Sequence, residues 1–438
     1  MRYIPTLLAS TLLLPAATFA QDAAPTTVAD LWKIIQQQQA EIDALKDSNV
    51  ETQSELADTR QQVIQNEQAV DATGDAIENL SVVNSSLAEW ADKTQIGGYG
   101  ELHYNNQDAE NSENDVDEID FHRFVLFVNH QFNDRLRFFS EVELEHSISG
   151  DDEDGEFELE QAYIQYDLDD KHKLNGGLFL LPVGILNETH EPETFYGVER
   201  NSVEKFVVPT SWWETGAGVN GAYANGLSWD FAITSGLEMD DDYSVRSGRQ
   251  KGSKASANDP AYTARLKYTG LPGLELATSY QLQVDANQGE KSAKGALPGD
   301  DGYVADIDQG QLIEAHAVYT NGGFGLRALW AEWNFDGDDI EAANADEQSG
   351  WYVEPSYRFR PGNWDIGVFA RYEDLDSYKL KDGIYQLGKF DEWTVGVNYW
   401  PVPNVVLKAD YRERNYDKSV TSNEYDFTGI DLGLGYSF

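Results

Sequence analysis

Apolar positions recur along this chain with two different periods, and the change between them marks its main boundary. From Val28 to Leu87 the repeat is seven. Val28, Ile35, Ile42, Asn49, Leu56, Val63, Val70, Ile77 and Asn84 share one core position, and Leu31, Gln38, Leu45, Thr52, Thr59, Asn66, Thr73, Leu80 and Leu87 share its companion. A heptad sustained over that length predicts an α-helical coiled coil. At about 1.5 Å per residue it would run roughly 90 Å, with Gly74 as a weak point. A coil implies self-association, and Asn49 and Asn84 would fix its register. β-branched residues paired with Leu favour two strands, whereas the polar run from Thr52 to Thr73 fits no simple rule, so the strand number stays open.

At Gln95 the period becomes two and remains so to the end. The alternation predicts sixteen strands, the first over 95–105 and the last over 425–438, an even number as bacterial barrels have. Short turns fall at Asn133-Asp134, Asp169-Asp170, Ala224-Asn225-Gly226, Leu271-Pro272, Asn321-Gly322, Pro361-Gly362 and Pro403-Asn404, all with turn-forming residues. Long acidic or Gly-rich loops come between them. The expected fold is an all-β transmembrane barrel of about sixteen antiparallel strands preceded by the coil, with short turns and both chain ends on the periplasmic side.

The strands have two faces. In the third, Leu136, Phe138, Val142 and Leu144 would meet lipid, while Arg137, Glu141, Glu143 and Glu145 would meet water. Sixteen strands enclose a lumen wide enough for an aqueous channel. Tyr99, Tyr166, Trp229, Tyr268, Trp333 and Trp400, near strand ends, suit aromatic girdles at the membrane interfaces, or are ordinary strand residues. In the last strand Ile430, Leu432, Leu434, Tyr436 and Phe438 share the lipid face. Asp431, Gly433, Gly435 and Ser437 share the inner one, and their small size predicts an unobstructed arc of wall.

Composition narrows the setting. Arg2, the apolar run Leu7 to Ala17 and Thr18-Phe19-Ala20 predict a cleaved secretory leader over 1–20, too short to span a membrane. A periplasmic coil would then occupy 21–94 and the barrel 95–438. The net charge of −46 makes nucleic acid an unsuitable partner. With no cysteine, disulfides and cysteine-bound zinc are excluded, and stability rests on packing and backbone pairing.

Several motifs sharpen this picture: Gly98-Tyr99-Gly100-Glu101, Phe121-His122-Arg123-Phe124, Glu160-Gln161-Ala162-Tyr163, Phe195-Tyr196-Gly197-Val198-Glu199-Arg200 and Trp212-Trp213-Glu214. Together with the terminal Phe438, which resembles the signal read by the barrel-insertion machinery, they resemble outer-membrane porins of the phosphate-selective porin O and P family. The resemblance runs over roughly 95–438. It implies a trimer of sixteen-stranded barrels, to which a long N-terminal coil is an addition. The family's array of anion-binding arginines and lysines has no residue-by-residue match here.

By analogy with sixteen-stranded porins, the connection 182–214 after the fifth strand would fold inward and narrow the channel. It carries Glu188, His190, Glu191, Glu193, Glu199, Arg200, Glu204 and Lys205. Charges at a constriction sort permeants by sign, and an acidic excess would favour cations. Alternatively these carboxylates face outside water or pair with Arg200 and Lys205. Arg123 and Arg137 on the wall are candidate counter-charges, or lateral partners such as Arg137 with Glu141. Arg246, Arg249, Lys251 and Lys254 form a basic cluster after the seventh strand. It would funnel anions such as phosphate or dicarboxylates, clamp lipopolysaccharide phosphates, or stand solvated.

Catalysis finds no motif: the seven histidines form no helical zinc pair, and no nucleophile elbow or phosphate loop occurs. A barrel hydrolase with Ser, His and Asp converging in space is the enzymatic alternative, less suited to a wide lumen. The acidic runs Asp151-Asp152-Glu153-Asp154 and Asp240-Asp241-Asp242 lack EF-hand spacing, so no metal site or cofactor is predicted. The reading is a water-filled porin for passive diffusion of small hydrophilic solutes and ions, in contact with outer-membrane lipid and lipopolysaccharide. An anion-selective porin and an envelope tether anchored by its barrel are the alternatives.

Overall fold

The computed structural model describes residues 27–148, 155–290, 303–381, 384–417 and 425–438. The leader over 1–20 and the run Asp151 to Asp154 lie outside them, as do the side chains of the core positions from Thr73 to Leu87. A long helix, α1, spans Val28–Lys93, and a short one, α2, spans Asp338–Ala342 in a loop. The core side chains of α1 face solvent, from Val28, 73% exposed, to Val70, 69% exposed. Among the described residues no helix is long and apolar enough to cross a membrane.

The remainder is a closed barrel of sixteen antiparallel strands, each paired with its neighbours in sequence, with the first and last paired to close it. The strands are β1 (Thr94–Ala109), β2 (Val116–Asn133), β3 (Leu136–Glu145), β4 (Phe157–Asp167), β5 (His172–Leu180), β6 (Trp213–Ala222), β7 (Leu227–Thr234) and β8 (Ala261–Leu271). They continue as β9 (Leu274–Gln283), β10 (Gly310–Asn321), β11 (Phe324–Phe335), β12 (Glu347–Phe359), β13 (Asp365–Lys381), β14 (Ile384–Val402), β15 (Val405–Tyr416) and β16 (Phe427–Ser437). Every expected short turn joins two strands. The loop expected between the thirteenth and fourteenth is instead a paired extension, with backbone register running from Ser377↔Gly388 to Lys381↔Ile384. At the seam Gly98 and Phe438 exchange backbone hydrogen bonds of 3.1 and 2.9 Å. A closed barrel leaves no strand edge unpaired, which a lipid environment requires.

Outward positions carry an apolar surface that water would not tolerate, including Ile96, Leu266, Ile313, Val395, Leu407 and Ile430. The inward face is divided. On β10–β13 it carries an apolar patch beside buried Glu314, Gln348, Glu354, Arg371 and Glu373: Leu312, Leu329, Ala331, Trp333, Phe335, Tyr352 and Leu375 are buried in one core with Leu181, Val183, Val203, Val207, Val208 and Trp212 of the β5–β6 connection. That connection therefore folds inward and is fastened by a dry core. Each large side chain buried this way contributes about 1.5–3 kcal/mol.

The aromatic expectation needs correction at three of six positions. Tyr99, Trp333 and Trp400 are buried inside, at 0, 0 and 3% exposure. Trp333 packs on Trp212 and donates to Val207 O at 2.9 Å, and Trp400 meets the Tyr196 ring edge-on. Parity selects a face, and here the inner face meets protein. The arc of β16 is corrected too. A Cβ at Gly433 would lie 3.2 Å from Val198, and one at Gly435 would lie 2.3 Å from Pro192. The small residues there make room for the loop and do not leave the wall free.

Candidate functional site

With the loop packed against β10–β13, the open space lies beside β1–β4 and β15. A cavity of about 440 Å³ is bounded there by those strands, the β5–β6 loop and the β7–β8 loop. Its lining holds eight carboxylates and eight Arg or Lys side chains, whereas the whole chain has 77 acidic and 31 basic residues. The lumen is thus strongly enriched in positive charge. Most of the acids come from β1–β4, among them Glu101, Glu143, Glu158 and Glu160. The bases come chiefly from the two loops and from β15.

Inside the β5–β6 loop, Glu204 is fully buried and holds the loop's own shape. Its carboxylate accepts from the N–H groups of Ile185 and Leu186 at 2.6 and 2.7 Å, from Asn201 Nδ2 at 3.1 Å and from the Tyr352 hydroxyl at 2.8 Å. Gly184 lets this carboxylate approach: its φ is +75° and a Cβ would stand 2.8 Å from Glu204 Oε1. Val203–Val207 make one wide helical turn closed by Val208 N–H on Val203 O at 3.0 Å.

The other loop carboxylates are also committed or aside. Glu188 pairs with Arg265 of β8, which also holds Asp230 at 2.9 Å. Glu199 accepts from His103 at 3.0 Å and from Asn105 at 3.2 Å. Glu191 and Glu193 are half-buried and do not line the cavity. Among the loop's carboxylates only Glu199 reaches it. His190 is buried against Glu141 and Glu160, outside the cavity's described lining of loop residues.

The loop's cations behave differently. Arg200 and Lys205 line the cavity, and so do Arg246 and Arg249 from the β7–β8 loop, which folds inward over the first. Arg246 donates to the carbonyls of Lys205 and Thr210 at 3.2 and 2.8 Å, and Arg249 to those of Pro209 and Ser211. Arg200 reaches Ser211 Oγ at 3.4 Å. Among the described residues none of these four forms an ion pair. Burial pushes the Lys205 amine down to about 8; Glu199 opposes this, while Arg246, Arg412 and Arg414 reinforce it. Burial and the neighbouring guanidiniums likewise hold Arg246 and Arg249 below the usual guanidinium range. These are positive charges without a carboxylate in direct contact, although Glu199 acts on Lys205 and Glu158 and Glu214 act on Arg249 from farther off.

The remaining candidates separate. Arg123 is buried, paired with Glu101, 3.6 Å from Glu143, and donates to His190 O at 3.2 Å. Arg137 lies near the short-turn end and pairs with Asp167, not with Glu141. Lys251 pairs with Glu158 and lies 5.2 Å over the Trp213 ring. Lys254 is exposed. The site also includes Arg412 and Arg414, which sequence reasoning passed over. Both contact Glu392, at 3.0 and 2.7 Å. Their signal was available, because they share parity with Lys408 and Asp410 and oppose Leu407 and Tyr411.

Three side-chain groups among the described residues have the donors for a metal, one of them the all-carboxylate set Glu143, Glu145 and Glu158. Asp120 Oδ2 meets His122 Nδ1 at 3.1 Å and His146 Nδ1 at 2.8 Å on the cavity wall. Glu141, Glu160 and His190 form a buried group.

Comparison with known proteins agrees with this architecture. The family model for phosphate-selective porin O and P matches residues 96–438. A protein of Aquifex aeolicus (strain VF5), described as uncharacterized, is 29% identical over 357 residues, covering 75% of this chain and 78% of its own. Among solved structures, Salmonella typhi OmpF in complex with daunomycin aligns at TM-score 0.52 and 16% identity, covering 79% of this chain and 97% of that one. The anion-selective porin from Comamonas acidovorans aligns at 0.50 and 13%, covering 79% and 99%. At such identities these two structures speak for the fold.

Proposed function

This chain belongs to the phosphate-selective porin O and P family, and from that premise we propose that its outer-membrane channel passes small hydrophilic solutes by diffusion and favours anions. The supporting observation is the quartet Arg200, Lys205, Arg246 and Arg249: four cations lining the cavity without a carboxylate partner. An anion in transit relieves their mutual repulsion, and guanidinium forks match phosphate and carboxylate oxygens. The acids of β1–β4 set up a transverse field with the quartet, which orients dipolar solutes and keeps any one anion from binding too tightly to leave. The loop's acidic excess, which on sequence grounds favours cations, is largely spent on Arg265, His103 and the loop's own backbone. The test is liposome swelling with a neutral hexose and a dicarboxylate of similar size. The dicarboxylate enters faster, and Arg246→Ala with Arg249→Ala removes the difference.

The helix supports a second element of this reading, assembly through a periplasmic coiled coil of identical chains, with a trimer as the expected order. Its heptad positions Ile35, Ile42, Leu45, Leu56 and Val63 are 46 to 66% exposed in one chain, as partner helices would require. Thr52 and Thr59 satisfy their hydroxyls on Ser48 O and Glu55 O at 2.8 and 2.7 Å, which lowers the cost of burying them in a coil. Deleting 21–92 is expected to abolish cross-linkable oligomers. Retained oligomers with weakened envelope integrity would favour the tether alternative.

A further inference from the structure

Glu141 of β3, Glu160 of β4 and His190 of the inward loop converge in a spot where none is more than 4% exposed. His190 Nε2 stands 3.6 Å from Glu141 Oε1 and 3.6 Å from Glu160 Oε2. Neither separation is a hydrogen bond. Those three atoms and Glu160 Oε1 have no hydrogen-bond partner at all. Buried polar atoms are nearly always satisfied, so three stranded ones, one from each residue and all within 4.8 Å of one another, call for a missing occupant.

The surroundings prepare them for one. A bulge between Glu141 and Val142 leaves Glu160 as an extra residue in β4, since Glu141 pairs with Gln161 and Val142 with Leu159. Glu160 is thereby turned inward beside Gln161, and bulges commonly re-aim a side chain in this way. Gln161 Nε2 donates to Glu141 Oε2 at 2.6 Å, leaving Oε1 for another partner. His190 Nδ1 meets Asn187 O at 3.1 Å. An imidazole that gives its Nδ1 proton to a carbonyl presents the Nε2 lone pair, which is how metal-ligating histidines are usually oriented.

We propose that Glu141, Glu160 and His190 bind a divalent transition-metal ion that fastens the inward loop to the barrel wall. A proton shared between Nε2 and the two carboxylates fits poorly, because N–H···O bonds need about 2.7–3.2 Å. An ion with bonds of about 2.0–2.2 Å sets its ligands roughly 3.3–3.6 Å apart, which the two separations from His190 Nε2 match at 3.6 Å. One imidazole with two carboxylates suits Zn²⁺ or Mn²⁺ better than Ca²⁺, which gathers six to eight oxygens. The nearby Arg123 bonds Glu101 and lies 3.6 Å from Glu143, and it forms no ion pair with Glu141 or Glu160. By contrast His122 and His146 each hydrogen-bond Asp120 Oδ2, and none of the three has a buried polar atom left unpartnered. No spacing in the chain announces the site, because its members come from three separate elements.

The test uses the full protein extracted from membranes. Elemental mass spectrometry is expected to find one equivalent of Zn²⁺ or Mn²⁺ per chain. Protein refolded in chelator should gain several degrees of unfolding temperature on adding Zn²⁺. Glu160→Gln and His190→Ala should lose both the metal and the gain, whereas His146→Ala keeps both. Glu141→Gln replaces either variant that fails to fold, and the wild-type measurements need no variant. Sub-stoichiometric metal with no response to Zn²⁺ or Mn²⁺ overturns the proposal. So does metal retained in Glu160→Gln and His190→Ala, or Ca²⁺ as the bound ion.

Discussion

Pro192 of the inward loop sits in the space that a side chain at Gly435 of β16 would need, with only 2.3 Å between its Cβ and a Cβ built on that glycine. The same relation recurs around the wall. Val198 lies over Gly433, Val203 over Gly350 and the Tyr196 hydroxyl over Gly367, at 3.2, 3.1 and 2.6 Å from the corresponding Cβ positions. Inward glycines form the seat of the loop. Gly435→Val is therefore expected to push the loop off β16, cost about 1–3 kcal/mol through overpacking and change single-channel conductance. Gly176→Ala, where a Cβ meets nothing within 4 Å, should leave both unchanged. Urea unfolding and planar-bilayer recordings on the pair check this.

Glu204 makes a separate prediction. Replacing it with Leu strands the Ile185 and Leu186 N–H groups in a buried place, at about 1–3 kcal/mol for each lost partner. The variant should fold as a barrel, unfold at lower temperature and show a noisier open channel. Glu191→Gln, at a carboxylate with no side-chain partner among the described residues, should match the wild type in both.

The pH dependence follows from Lys205. Held down at about 8 by burial, with Arg246, Arg412 and Arg414 adding to the effect against Glu199, this amine is charged below pH 8 and neutral above it. Anion preference should then weaken as pH rises from 7 to 9, because one of the quartet's four charges is lost. Lys205→Arg, charged throughout that range, should flatten the profile. Reversal potentials measured across this interval decide the matter.

The strand count and the short turns were readable because a membrane barrel must alternate strictly and pair every backbone group. What alternation does not encode is whether an inward face meets water or another segment. Trp333 and Leu329 share a parity that reads equally well as lumen or lipid, and only the loop seated against them settles it. The charges of 182–214 were visible, but their partners were not. Glu188 finds Arg265 and Glu204 finds Tyr352 far along the chain. Likewise nothing in the spacing of Arg246, Arg249, Lys251 and Lys254 separates the three that turn into the lumen from Lys254, which stays exposed.

Anion preference through the quartet is the central claim, and the reversal potential of the purified protein in a planar bilayer under a KCl gradient tests it most directly. The account predicts an anion-signed potential that falls toward zero in the Arg246→Ala, Arg249→Ala double variant. A cation-signed potential, or an anion-signed one that the double variant leaves unchanged, would contradict it.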